Sequence, residues 1–240
     1  YNLFIRGIDD YQDYSSINSQ RFDGIILMSQ SVRDHSFIYH VLQKEIPLVV
    51  LNREIEEDDI INILSNDTEG SRKAVQYLID CGHTDIAVIE GISTFKSTQM
   101  RKEGYLTALI DNSIPIQPEY SVSGNYDMES GYQGMEKLLS LKKPPTAVFC
   151  SNDDMAIGAM NAVFAKGLNV PNDISIIGFD DIGFAQYTTP KLTTVKRPVE
   201  KISVLGAEKI LSLVTGGEQK AAKVFANTEL IIRDSVKKKG

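Results

Sequence analysis

The chain contains 240 residues, which is enough for one large domain or for two smaller ones with substantial cores. Hydrophobic residues make up 42% and charged residues 24%, as in ordinary soluble globular proteins, and no apolar run approaches the roughly 20 residues that cross a bilayer. The net charge of −7, with residues 237–239 as the only basic run, weighs against a duplex-binding surface on this chain.

Short apolar runs alternate with helix-length stretches along almost the whole chain. Strands are predicted at residues 2–5, 24–28, 48–51, 86–89, 146–150 and 175–179, with a weaker one at 120–124. Helices are predicted at residues 68–81, with Asp67 at the N-cap position, at 153–166 and at 199–214. Because the strands are apolar throughout and alternate with helices, we expect a doubly wound α/β fold with parallel sheets. The order reads as two copies of this plan, with a junction at residues 63–67.

The two cysteines and the N-terminal residues bear on the compartment. Cys81 and Cys150 form neither a CxxC pair nor part of a Cys/His cluster, so both are expected to be reduced. Residues 1–6 lack the pattern of a signal peptide. Together these features predict a cytoplasmic protein.

Polar residues collect just after the predicted strands. They are Ser29, Asn52, the segment 93–97, Tyr126, Asn152, Asp153, Asp180 and Asp181. Because open α/β sheets bind ligands outside the carboxyl ends of their strands, we expect these hydroxyls, amides, carboxylates and one ring to line a common cleft. Such a set suits a polyhydroxylated small molecule.

Arg101 adds a cation to this set. It falls in the first turns of a predicted helix, where the helix dipole disfavours a positive charge, so a partner or a ligand is expected to hold it. Position alone leaves structural roles open: Arg101 also fits a solvated surface, Tyr126 fits the core, and Asn152 fits a simple cap. The acidic pairs at residues 153–154 and 180–181 fit caps and turns, and Asn52 fits a bridge between the two lobes.

No residue set predicts catalysis or metal binding. Neither acidic pair has a His, a Cys or a third carboxylate at ligand spacing, and no nucleophile elbow, P-loop or dinucleotide-binding fingerprint is present. We therefore predict a protein that is not an enzyme, with no metal and no cofactor. An α/β enzyme that uses the acidic pairs is the weakest alternative.

Several segments match one bacterial regulator family in sequence and in order. They are residues 23–27 (DGIIL), 81–87 (CGHTDIA), 101–109 (RKEGYLTAL), 151–158 (SNDDMAIG), 167–175 (GLNVPNDIS), 178–181 (GFDD), 190–195 (PKLTTV) and 228–235 (TELIIRDS). In these motifs the chain resembles the effector-binding part of LacI-type transcriptional regulators over nearly its whole length.

The resemblance implies a fold of periplasmic-binding-protein type I, with two Rossmann-like subdomains joined by three crossover strands near residues 64–66, 195–198 and 225–227. The implied subdomains are residues 1–65 with 197–225, and 66–196 with 226–236, followed by a tail at 237–240. The family's helix-turn-helix, hinge helix and first βα unit have no counterpart here.

The resemblance also implies the site and the partners. By position, Arg101 and Asp180 match the most dependable effector contacts, Asn152 and Tyr126 match further lining residues, and Ser97 and Asn52 complete the set. Phe95 stands where purine-responsive members tend to carry an Arg, which favours a sugar or sugar derivative. The implied protein is a homodimer that binds operator DNA through a domain outside this chain, without a membrane partner. A periplasmic sugar-binding protein of a transporter is the alternative with the same fold.

Overall fold

Two separate sheets organise the chain in a computed structural model, which describes residues 1–11, 13–29, 34–55, 60–217 and 222–239. In chain order the helices and strands are β1 (Ile25–Met28), α1 (His35–Gln43), β2 (Leu48–Leu51), β3 (Ile61–Ser65), α2 (Asp67–Asp80), β4 (Ile86–Glu90), α3 (Lys96–Asp111), β5 (Ser121–Ser123), α4 (Met128–Leu139), β6 (Ala147–Cys150), α5 (Asp153–Ala165), β7 (Ser175–Asp180), β8 (Thr193–Lys196), α6 (Val199–Val214), β9 (Ala222–Ala226) and β10 (Glu229–Ile231). The predicted α/β alternation is confirmed.

The chain divides into two compact units and passes between them three times. Unit 1 comprises Tyr1–Ser65 and Val199–Ala226, and unit 2 comprises Asn66–Pro198 and Asn227–Gly240. Compared with the bounds expected from the resemblance, the second passage lies two residues later and the third passage lies one residue later.

Residues 237–239 are held within unit 2 instead of forming a free tail. His83 Nε2 donates to the Lys237 carbonyl at 3.1 Å, and the Lys239 N–H donates to the Cys81 carbonyl at 2.8 Å. Burial lowers the pKa of His83, and the hydrogen bond to the Lys237 carbonyl opposes that fall. His83 therefore has a structural role, since its ring joins the C-terminal residues to the turn after α2.

Unit 1 is built on a four-stranded sheet in the order β1-β2-β3-β9, parallel throughout. The central strand β2 is buried on both faces because its alternate residues meet different helices. Val50 packs in one cluster with Val41 of α1, whereas Val49 packs in another with Ile202 of α6. A continuous apolar run is what a strand covered on both faces needs.

Unit 2 contains a six-stranded sheet in the order β10-β8-β7-β6-β4-β5, in which only β10 runs antiparallel. One face is covered by α2 and α3 and the other by α4 and α5. The chain leaves β4 for β5 on one side and then crosses to β6 on the other, so the strand order reverses between β4 and β6. In doubly wound sheets, the crevice at this switch point is where ligands bind.

One predicted strand is wrong. Residues 2–5 have the composition of a strand but form none, and Leu3 and Phe4 are exposed. In the described part of the chain these residues join neither sheet, and an apolar run without a ladder partner does not become a strand.

The cap predicted for α2 is also wrong. The N-cap residue is Asn66, and Asp67 is the first residue of the helix, where its carboxylate bonds a side chain of α3. The helix ends at Asp80, one residue before the predicted end, with Cys81 as the C-cap and Gly82 after it at φ +88°. Both cysteines are free and buried, as expected. None of the helices that the structure describes is long and apolar enough to span a bilayer.

Candidate functional site

Five of the six predicted binding residues meet at the carboxyl edge of the sheet in unit 2. Ser97 and Arg101 lie in the first two turns of α3 after β4, Tyr126 lies in the loop after β5, Asn152 caps α5 after β6, and Asp180 ends β7. The five residues are Ser97, Arg101, Tyr126, Asn152 and Asp180, and contacts described below join them into one cluster. The cluster includes the switch point between β4 and β6.

Arg101 lies at the centre of the cluster and is only 3% exposed. Its Nε donates to Asp67 Oδ2 at 2.9 Å, its Nη2 donates to Asp180 Oδ1 at 3.2 Å, and its Nη1 donates to the Ser151 carbonyl. The guanidinium also lies over the Phe179 ring, with Cζ 3.9 Å from the ring centroid. The sequence expectation that a partner holds this cation is confirmed, and the solvated-surface alternative is wrong.

The charges around Arg101 keep it ionised. Burial by itself would lower its pKa, but Asp67 and Asp180 outweigh burial and hold the pKa above its usual value. Burial raises the pKa of Asp180, and Arg101 and Arg197 oppose that rise. Since 28% of the Asp180 side chain is exposed, this carboxylate is partly available to solvent or to a ligand.

Tyr126 and Phe95 form an aromatic pair beside the guanidinium. Their ring centroids are 6.0 Å apart with planes 25° from parallel, and both residues are half-buried. The Tyr126 hydroxyl bonds Thr98 Oγ1 at 2.7 Å and Ser97 Oγ at 3.2 Å. The ring also packs at the edge of a unit 2 core cluster, which agrees with the core interpretation of Tyr126, while its contact with a ligand stays a prediction.

Asn152 combines a cap with a contact across the cluster. Its Oδ1 accepts from the Met155 N–H at 2.9 Å and caps α5, while its Nδ2 donates to the Tyr126 carbonyl at 3.0 Å. The single side chain thereby fixes both the start of α5 and the backbone that carries the aromatic ring.

Among the described non-glycine residues, φ is positive at Asn52, Tyr126, Asp180 and Asp181, and also at Glu45 and Ser113, which lie outside the predicted site. Asn52, Tyr126 and Asp180 have φ values of 67°, 65° and 109°, in a region that is costly for residues other than glycine. Each such residue costs on the order of 1–3 kcal/mol and persists only where its surroundings fix it. Strain of this kind clusters at functional sites, which supports the assignment of these positions to a site.

Asp67 is the site residue that sequence reasoning missed. Its Oδ2 binds Arg101, whereas its buried Oδ1 accepts no hydrogen bond within the described residues and lies 3.8 Å from Arg197 Nε. The sequence pattern predicts a junction between lobes at residues 63–67 and a helix cap at Asp67, which gives this residue a structural role only. Applying the strand-end rule there would have found Asp67.

Asn52 belongs to unit 1 and is not part of the cluster in unit 2. It follows β2 directly, is half-buried, and donates its N–H to the Ile63 carbonyl at 2.9 Å. Its place at the carboxyl edge of the unit 1 sheet corresponds to the place of the other five residues in unit 2. In the part of the chain that the structure describes, no three His, Cys, Asp or Glu side chains are grouped to hold a metal ion.

Comparison with known proteins identifies the family. A family model described as a periplasmic binding protein-like domain matches residues 75–236. The probable HTH-type transcriptional repressor ExuR of Bacillus subtilis is 68% identical over 238 residues, which cover 99% of this chain and 72% of that protein. The HTH-type transcriptional repressor PurR of Erwinia tasmaniensis is 37% identical, with 95% of this chain and 68% of that protein covered.

A solved structure agrees with these relatives. The sugar-binding transcriptional regulator of the LacI family from Escherichia coli, solved with phosphate, matches with a TM-score of 0.80 and 32% identity, covering 92% of this chain and 79% of that one. These proteins are transcriptional regulators and not enzymes, which confirms the prediction that this chain is not an enzyme. The chain therefore belongs to the LacI family of transcriptional regulators and corresponds to the periplasmic-binding-protein-like, effector-binding domain of that family.

Proposed function

We propose that the cluster in unit 2 binds a small polar effector, a sugar or a sugar derivative. The observation that carries this proposal is Asp180, a carboxylate presented at the end of β7 on strained backbone and anchored by a buried arginine. A charged acceptor fixed in this way bonds ligand hydroxyls strongly, because the fold already orients it and little conformational entropy is lost on binding.

The remaining side chains supply the other contacts that a sugar needs. The half-buried Phe95 and Tyr126 rings offer an apolar surface for the face of a pyranose, and Ser97 offers a hydroxyl at its edge. Arg101, Asp180, Asn152, Tyr126, Ser97 and Asn52 are the proposed contacts, and we add Asp67 for its unbonded Oδ1. The Escherichia coli relative described as sugar-binding supports a sugar over a purine.

The effector controls transcription in this proposal. A ligand shifts the equilibrium between two conformations of a protein by its differential affinity for them. In the cytoplasmic full-length regulator, this shift changes how a helix-turn-helix domain fits operator DNA. The repressor names of the ExuR and PurR relatives support a role at operators.

The regulator is proposed to act as a homodimer. Unit 1 exposes apolar side chains along α6, including Val199 and Val204, each about half exposed at 52% and 51%. Apolar area on a helix face favours association of two copies. Sedimentation velocity is expected to give a dimer that Val204→Asp weakens at least tenfold, whereas a monomer at all concentrations would refute this part of the proposal.

Calorimetric titration tests the ligand. The panel comprises D-glucose, D-glucuronate, glucose 6-phosphate and cellobiose, with hypoxanthine as the purine. At least one sugar is expected to bind, and Asp180→Asn is expected to weaken its binding about 10–100-fold, the effect of losing bonds to a charged acceptor. Asp111→Asn, at an exposed position on α3, is the matched control and should bind normally. Binding of hypoxanthine alone, or equal binding by both variants, would contradict the proposal.

A second pair of variants tests the aromatic surface in the same titration. A Cβ at Gly91 would lie 2.0 Å from Tyr126 Cζ, so Gly91→Ala must displace the ring, whereas Gly183 has no heavy atom within 4 Å of such a Cβ. Gly91→Ala is expected to weaken sugar binding at least tenfold with little change in melting temperature. Gly183→Ala should leave both the sugar affinity and the melting temperature unchanged.

A further inference from the structure

The last residue of β7 and the two residues that follow it, 180–182, form a sharp turn that we call the elbow. Asp180 and Asp181 both have positive φ, at 109° and 57°, so the elbow is strained over two residues in succession. Two arginine side chains bond the carboxylates of these residues: Arg101 Nη2 donates to Asp180 Oδ1, and Arg233 Nη2 donates to Asp181 Oδ1 at 2.6 Å. The third residue of the elbow, Ile182, is held through its backbone N–H by a buried side chain of unit 2.

Asp153 is the group that holds Ile182. Its carboxylate is fully buried, and Oδ2 accepts from the Ile182 N–H at 2.8 Å while Oδ1 accepts from the Thr194 hydroxyl. Gly178 is paired with Thr194 in the sheet, and a Cβ at Gly178 would lie 2.1 Å from Asp153 Oδ1. The carboxylate therefore sits directly on β7 and β8 and ties them to the elbow and to the first residue of α5.

We propose that Asp153 is a positioning residue for the effector site, whose ionised carboxylate keeps the elbow in place, presents Asp180 to the effector and makes effector affinity depend on pH near neutrality. This inference deepens the proposed function and rests on it for the affinity, though not for the order of the elbow. Asp153 acts through Ile182 and the backbone of Asp180 without contact to the effector.

The surroundings of Asp153 support titration in this range. Burial raises the pKa of Asp153 to about 7, the bonds from Thr194 and Ile182 oppose the rise, and Asp180 and Asp181 add to it. The facing group on β6 is the Cys150 thiol, whose pKa burial also raises, so it stays neutral. β7 and β8 face the carboxylate with Gly178 and Thr194, which do not titrate.

Linkage gives the sign of the effect. Because the Ile182 N–H favours the charged form of Asp153, the charged form favours the elbow in its bonded position by the same factor. Protonation replaces a charge-assisted hydrogen bond with a weaker neutral one. We therefore expect elbow order and effector affinity to fall about fivefold as the pH drops from 8 to 6.

Amide hydrogen exchange on the chain without added sugar tests the elbow directly. Protection of the Ile182 N–H, corrected for intrinsic exchange, is expected to fall about fivefold from pH 8 to pH 6. The Met155 N–H, which bonds the uncharged Asn152 side chain, is the reference amide and should not change. In Asp153→Asn the Ile182 protection is expected to be equal at both pH values, and in Thr194→Val the midpoint should move to higher pH. Protection that is independent of pH in the wild type, or a slope that survives in Asp153→Asn, would overturn the inference.

Affinity is measured with the tightest-binding sugar of the panel above. The wild type and Asp154→Asn, the matched control on the adjacent residue of α5, are expected to show the same fivefold loss from pH 8 to pH 6, and Asp153→Asn none. Equal slopes in all three proteins would assign the pH dependence to other groups and overturn the role of Asp153. If no sugar of the panel binds, the proposed function fails, while the exchange experiment still decides whether Asp153 holds the elbow.

Discussion

Replacing Arg101 with alanine is expected to lower the free energy of unfolding by about 3–5 kcal/mol, the cost of removing one partner from a buried ion pair. The cost is large because Asp67, with a side chain 4% exposed, loses its bonded cation, and Asp180 loses its anchor. The Ser151 carbonyl also loses a donor. Urea denaturation, followed by circular dichroism, measures the change.

Arg72→Ala is the matched control for this prediction. Arg72 lies on α2, also in unit 2, and pairs with Glu69 one turn away while about a third of its side chain is exposed. Exposed helix pairs of this kind contribute about 0.3–0.5 kcal/mol, so the control should lose no more than that. A loss below about 1 kcal/mol for Arg101→Ala would show that the buried carboxylates do not depend on this cation.

The second large effect concerns Asp153 and pH. Folding moves the pKa of Asp153 from 3.8 to about 7, so between these values the folded chain binds a proton that the unfolded chain releases. The stabilising contribution is therefore complete below pH 4 and is lost as the pH rises through 7. At about 1.36 kcal/mol per pH unit, the loss is on the order of 4 kcal/mol.

Asp153→Asn removes this pH dependence because an amide stays neutral throughout. The free energy of unfolding of the wild type, relative to that of the variant, is expected to fall by on the order of 4 kcal/mol between pH 4 and pH 8. Asp154→Asn should differ from the wild type by a constant amount. A difference between wild type and Asp153→Asn that does not vary with pH would show that Asp153 has the same pKa in the folded and unfolded chain.

Ionisation of Asp153 therefore has two opposite effects, one on the stability of the whole chain and one on the elbow. Its burial lowers global stability above neutral pH, whereas its bond to Ile182 keeps the strained elbow in position. Strain and buried charge that cost stability are expected where a binding site must be preorganised.

Periodic patterns predicted six of the ten strands that the structure describes, namely β1, β2 and β4 to β7. The apolar runs at residues 48–51 and 146–150 became β2 and β6, because a strand covered on both faces needs apolar residues at every position. Residues 2–5 have a similar composition and formed no strand, since pairing depends on a neighbouring strand and not on the run itself. Composition indicates whether a segment is able to be buried, whereas a neighbouring strand determines whether it pairs into a sheet.

The site was predicted in part for a related reason. Ends of parallel strands meet at one edge of a sheet, so Asn152, Tyr126 and Asp180 could be grouped from their positions after predicted strands. Asp67 pairs with Arg101 and lies 3.8 Å from Arg197 Nε, and both arginines are far from it in sequence, so local spacing does not predict these pairs. The hydrogen bond between Asp153 and Ile182 joins residues 29 positions apart, so local spacing does not predict it either.

The sequence by itself determined the α/β class, the sensing role implied by the family motifs and the weak prospect of DNA binding on an acidic chain. These follow from local apolar periodicity, motif order and net charge, which need no coordinates. Only the tertiary structure decided that Arg101 is a buried cation paired with two carboxylates. It also decided that the Asp153 carboxylate accepts a hydrogen bond from Ile182 in the elbow and is not a helix cap. Burial and long-range pairing fix the charge state and orientation of a side chain, and both arise only when the sheet brings distant strand ends together.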